Sequence, residues 1–195
     1  MTEPPLTELE KLRRLVIVLQ STALNFGYYR GAMTTLRPGP ESPFVDIHRR
    51  IANNFLDIGV FEWCKLFAER EKQHWGRSMP AANLPDFEAG LYSLAGTDKA
   101  GWEDYCGEFL TYRDKFLGHL DDKRVMNIPV LDNAVSALHY YVLQLRKHHP
   151  LAYSIAVAEF DMTVFVVKAD ADARDYLTPL SFTFSRCCLA PWLPF

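Results

Sequence analysis

The chain has 195 residues, 49% of them hydrophobic and 23% charged, with a formal net charge of −3. These values fit one globular domain, or one domain with an appendage, large enough to bury a substantial core. They exclude a globally basic nucleic-acid binder, so an anion site must come from a local cluster of cations. The opening MTEPPLTELEKLRR carries acids early and no cleavable apolar core, so no signal peptide is expected. No apolar run approaches the roughly 20 residues that span a bilayer. Cys64, Cys106, Cys187 and Cys188 form no CxxC pair, which gives a closed zinc site little support. The expectation is a cytoplasmic chain with reduced thiols and no membrane partner.

The elements read as mostly helical. Thr7 and Glu10 have capping-box spacing, and Leu9, Leu12, Val16, Leu19, Ala23 and Phe26 then recur at helical period. Gly27 and Gly31 weaken the later part of that helix. The stretch LRPGPESP (36–43) breaks the chain with three prolines and a glycine. A long second helix is predicted from about Val45 to Gln73, with Ile47, Ile51, Phe55 and Ile58 as its first apolar stripe. After the loop SMPAANLP (78–85), a short helix over DFEAGLYSLAG ends near Gly96.

Thr97 or Asp98 can cap the next helix, predicted from about Ala100 to Leu120. The connector MNIP leads to another, on which Leu131, Val135, Leu138, Val142 and Leu145 form a stripe. Its end carries Arg146, Lys147, His148 and His149, and cations there suit the helix dipole. Four long helices with short connectors imply an all-α antiparallel bundle. The division expected is a bundle over 1–149 and an extension over 150–195, packed on the bundle or on a second copy. In that extension YSIAVAEFDMTVFVVKADADARDYL is open between helix and strand. SFTFSRCCLAPWLPF reads as a partly irregular packed tail with a short extended piece.

One residue is out of place. On an ideal helix Trp102, Cys106, Phe109, Phe116 and Leu120 all fall within about 60° of Arg113. Arg113 thus sits near the centre of an apolar stripe, and a buried unpaired guanidinium is too costly to be incidental. It needs a buried acid, with Asp57 and Glu62 on the second helix as candidates, or a groove, or another protein chain. His119, six residues on, falls on the polar side of the same ideal helix and would by itself be a solvated residue at a helix end. A site shared by the two requires the helix to loosen near Gly118, where glycine lowers helix propensity, or a second chain.

The segment RDKFLGH resembles the Arg-x(4–6)-His motif of HEPN domains, four-helix bundles found in many RNA-cleaving toxins and antiviral defence proteins. The wider string TYRDKFLGHLDD, with FEWCKLFAEREKQHWG upstream and MNIPVLDNAV downstream, resembles the abortive-infection type U branch. The resemblance covers about residues 10–148. It implies a HEPN-type bundle, a homodimer whose motifs meet in an interface cleft, RNA as substrate and an antitoxin partner. It also implies His119 in proton transfer and Arg113 on the scissile phosphate, with no metal and no cofactor.

The chemistry suits those residue types. RNA brings its own 2′-hydroxyl nucleophile, histidine can move the proton, and a guanidinium stabilises the charge that builds on the phosphoryl oxygens. Asp114, at the family's polar position after Arg, would orient the pair or stand as a surface acid. Asp121 would fix the tautomer of His119 or be an exposed acid in LDDKR. Tyr112 would stack on a base or pack half-buried. Three rival readings compete with cleavage. One is a non-catalytic HEPN-like dimeric binding or regulatory module, in which Arg113 holds an ion pair. Another is a metal-dependent bundle enzyme using some of His48, His74, His119 and His139, which lacks the repeated Glu-x-x-His spacing of di-iron bundles. There His74 is expected instead to pack beside Trp75. The last is an interaction protein docking through PWLPF.

Overall fold

The computed structural model describes residues 5–35, 43–69, 74–118, 127–152 and 162–187. Every regular element among them is helical, and no strand occurs among the described residues. The elements are α1 (Glu8–Thr35), α2 (Pro43–Phe67), α3 (Trp75–Ser78), α4 (Leu84–Ala95), α5 (Lys99–Tyr112), a π-helical turn (Arg113–Gly118), α6 (Leu131–His148) and α7 (Met162–Cys187). No helix is long and apolar enough to cross a membrane among the described residues.

α1 starts where its capping box says. The Glu10 N–H donates to Thr7 Oγ1 at 3.3 Å, and the Thr7 N–H donates to Glu10 Oε2 at 2.8 Å. Two of the orphan donors at the helix start are satisfied in this way. The stripe Leu12, Leu15, Val16, Leu19, Ala23 and Phe26 is buried. α2 returns antiparallel: Gly59 lies under the Phe26 ring, Tyr28 meets Phe55 at 5.1 Å, and Ala32 packs with Ala52.

The first apolar stripe of α2 is not the buried one. Ile47, Ile51 and Ile58 are 51%, 45% and 47% exposed, while Ala52, Leu56, Val60, Trp63, Cys64 and Phe67 enter the core. The helix also ends earlier than its charged, helix-favouring sequence implies. The Phe67 carbonyl, one of its last orphan acceptors, takes a hydrogen bond from His74 Nε2 at 3.2 Å. His74 is itself the N-cap of α3, its Nδ1 accepting from the Gly76 N–H at 3.1 Å. With Nδ1 an acceptor, the ring is the neutral Nε2–H tautomer. It packs against Trp75 at 4.8 Å, as the sequence suggests.

Trp63 is the hub of the core. It is fully buried, with ring centroids of Phe109, Phe67, Tyr105 and Trp102 at 4.0, 4.9, 5.7 and 6.1 Å. Its indole N–H donates to the Ala134 carbonyl of α6 at 3.3 Å. The pairs Phe67–Trp102 and Trp63–Phe109 set α5 antiparallel to α2, and Phe67–Tyr141 sets α6 parallel to α2. The helices α1, α2, α5 and α6 therefore alternate in direction, as an antiparallel bundle requires. α4 closes one side through Phe87, which meets Trp75 and Tyr141. It ends on Gly96, whose φ of 65° is the left-handed C-cap conformation that glycine supplies cheaply.

Of the C-terminal segment left open in the sequence, residues 162–187 form one long helix, where an irregular piece was expected from about residue 181. α7 lies along α1 in the same direction, Gly27 facing Val166 and Ala169, and Gly31 facing Asp170 and Ala173. A β-carbon at Gly27 would stand 2.6 Å from the Val166 carbonyl oxygen and 2.7 Å from Ala169 Cβ. The two glycines do not interrupt α1. They let a second backbone approach it.

Candidate functional site

The site is built by the way α5 begins and ends. Asp98 caps it, its carboxylate accepting from the Gly101 N–H at 2.9 Å. Trp102, Cys106, Phe109 and Tyr112 then face the core. Tyr112 is 1% exposed, and its hydroxyl donates to Asp57 Oδ1 on α2 at 2.7 Å. Half-burial pushes the Asp57 carboxyl above its usual range, opposed by that hydrogen bond. Burial and the neighbouring Asp57 push the Tyr112 phenol upward as well. The bond pins the last α-helical turn to α2. Tyr112 is thus a packed core residue, more deeply buried than its sequence context implied, and its ring is not presented to a base.

From Arg113 to Gly118 the winding widens to i→i+5, a π turn, an irregularity common at functional sites. A site shared with His119 would need the helix to loosen near Gly118 or a second chain, and the π turn begins five residues before that glycine. Arg113 opens the turn with a side chain only 18% exposed. Its Nε donates to Asp114 Oδ1 at 2.8 Å, its Nη2 lies in an ion pair 2.7 Å from the same oxygen, and its Nη1 forms an ion pair with Glu69 Oε1. Glu69 stands just past the end of α2. The guanidinium is therefore matched by acids of its own chain, one of the resolutions its position left open, but not by the acids the sequence pointed to. Asp57 is engaged by Tyr112. Glu62 faces α1 beside Ser21 and Asn25, its carboxyl pushed upward chiefly by burial.

Sequence reasoning missed Glu69. The signal available was side-chain direction: a helical arginine leans toward the N-terminus of its own helix. In an antiparallel pair that is toward the C-terminal end of α2, where Glu69 lies. Asp114 was among the residues singled out, and its carboxylate contacts the guanidinium. His119 and Asp121 lie outside the described residues, as does PWLPF.

Cys64, also on α2, adjoins Arg113. Its thiol is pushed up to about 11, burial outweighing the guanidinium, and burial pushes Cys106 up to about 12. Both are buried free thiols, protonated near neutrality and poor nucleophiles. Among the described residues no group of three or more His, Cys, Asp or Glu side chains is set to hold a metal ion. A cavity of about 320 Å³ lies elsewhere, between α1, α2 and α7, lined by Tyr28, Phe55, His48, Asp172 and Tyr176 among others. None of the Arg113 cluster lines it.

The arrangement can present a fixed, orientated guanidinium to an anion at the surface of a rigid aromatic core. Comparison of the chain with protein-family models, with curated proteins and with solved structures gives no match.

Proposed function

We propose that the chain is a HEPN-like, metal-independent endoribonuclease that works as a homodimer in a toxin or antiviral defence role. The observation that carries the proposal is the setting of Arg113. A mostly buried guanidinium, held by two carboxylates, opens a π turn within the RDKFLGH segment. Arg113 binds the scissile phosphate and stabilises the charge that develops on its oxygens. His119 moves the proton as the 2′-oxygen attacks phosphorus and the 5′-oxygen leaves, giving a 2′,3′-cyclic phosphate and a 5′-hydroxyl. Asp114 keeps the guanidinium orientated. A second copy is supported by the exposed stripe Ile47, Ile51, Ile58 and Phe61 on α2, which has helical spacing.

A second reading has its own observation. Glu69 and Asp114 neutralise Arg113 within the chain, which is what a non-catalytic dimeric binding module would do with it. An assay in EDTA separates the two, with wild type beside Arg113→Ala and His119→Ala, each first checked for folding and dimerisation. The ribonuclease produces cyclic phosphate ends, and both folded variants are inactive. A folded wild type that leaves a broad RNA panel intact supports the binding module instead.

A further inference from the structure

The two terminal nitrogens of a guanidinium make the fork that grips two phosphate oxygens. In this chain the two are held by different acids. Nη2, together with Nε, is held at 2.7 and 2.8 Å by Asp114, the next residue on the same turn. Nη1 is held by Glu69. Asp114 is the next residue on the same π turn. Glu69 lies two residues beyond the end of α2 at Phe67, in the turn that follows, so its side chain can swing away without unwinding a helix. It is 31% exposed, so on release it meets water rather than the core. One acid orients the guanidinium, and the other occupies the edge a phosphate needs.

We infer that Glu69 is a latch on Arg113: an RNA phosphate binds by displacing the Glu69 carboxylate from Nη1, while Asp114 keeps its hold on Nε. The inference rests on Arg113 being the phosphate-binding residue. The exchange replaces one charge-assisted partner by another, so the half-buried cation is never left without an anion, a state that is strongly unfavourable. No proton is transferred and no bond is made or broken. The latch lowers the affinity of the resting site for a phosphate, because every phosphate must first compete with an acid already in place.

The test uses the full chain and a fluorescent single-stranded oligodeoxynucleotide, which offers phosphates but has no 2′-hydroxyl and cannot be cut. Binding is followed by anisotropy for wild type, Glu69→Gln, Glu108→Gln and the double variant Glu69→Gln/Arg113→Ala. Glu108 is an exposed acid of α5, so its variant carries the same charge change away from the fork. Glu69→Gln is expected to bind about 10-fold tighter and Glu108→Gln less than about 2-fold tighter, since exposed charges contribute little. The gain is expected to vanish in the double variant. Should Glu69→Gln melt too low to assay, Glu69→Asp, with a shorter reach and the same charge, is expected to show a smaller gain in the same direction. Equal or weaker binding by the Glu69 variant, or a gain that survives Arg113→Ala, overturns the latch. A gain that depends on Arg113 in a protein that cuts no RNA leaves the latch standing and removes the ribonuclease. RNA cleavage with no gain removes the latch alone.

Discussion

The stretch from Lys99 to Gly118 is two different structures joined at Tyr112. Its first part, α5, is an ordinary α-helix held by aromatic packing, with Trp102 and Phe109 against Trp63. Its second part is a π turn that opens with a guanidinium held by two carboxylates. Close aromatic packing holds the first part against α2. The second gives up regular winding and neutral packing for a charge in a set orientation. π turns recur at functional sites. The first part is held by packing, and the second by charge pairing.

The largest expected effect breaks that packing. Trp63→Ala removes the ring on which Phe67, Trp102, Tyr105 and Phe109 converge. A loss of about 3–5 kcal/mol is expected, read by urea or thermal unfolding. A loss under about 1 kcal/mol, the level of an ordinary surface substitution, would mean that α5 is not held by this packing.

Next comes a substitution whose sign discriminates. In an exposed helix Gly31→Ala would stabilise by up to about 1 kcal/mol. Here the new methyl would lie 2.9 Å from Ala173 Cβ and closer still to the Asp170 carbonyl oxygen. The expected outcome is a loss of about 1–3 kcal/mol in the same unfolding experiment. A gain would show that α7 does not lie on α1.

The smallest effect sharpens the junction itself. In the folded chain the Asp57 carboxyl holds its proton more tightly than the ordinary value of 3.8, because burial disfavours its charge. Its stabilising contribution is therefore fully present below that value and is lost as pH rises through the raised one. Asp57→Asn keeps an acceptor for Tyr112 and cannot ionise. Relative to wild type it should gain stability as pH rises from about 4 and then level off. Denaturant titrations over a pH series measure this, and a wild type that gains on the variant instead would mean that the Tyr112 hydrogen bond outweighs burial.

How much of this was written in the sequence depends on the range of the forces involved. Thr7 with Glu10, Asp98 at the start of α5 and Gly96 at the end of α4 were legible because caps are local chemistry. The stripe of α6 was legible because one face of that helix is apolar. α2 carries two apolar faces, and only the fold decides that Trp63 goes in and Ile51 stays out. Its end at Phe67 depends on a histidine seven residues further on. The helical state of α7 was hidden by the β-branched VFVV. The matching clue was present in the small pairs Gly27/Gly31 and Ala169/Ala173, each with i,i+4 spacing. At the candidate site the need for an acid beside Arg113 was legible. Its identity was not, because the fold decides that Asp57 meets Tyr112, that Glu62 faces α1, and that α2 ends before Glu69.

The most direct test of Arg113 as a functional rather than a structural cation is Arg113→Lys, assayed for RNA cleavage in EDTA beside its unfolding midpoint. Lysine keeps the charge that Glu69 and Asp114 pair with but loses the planar fork. The expected result is a midpoint within about 2 °C of wild type, since lysine keeps a cation for both acids, together with cleavage reduced at least about 100-fold. Cleavage at the wild-type rate with a clearly lowered midpoint would contradict it, and would make Arg113 a counter-ion for two acids and nothing more.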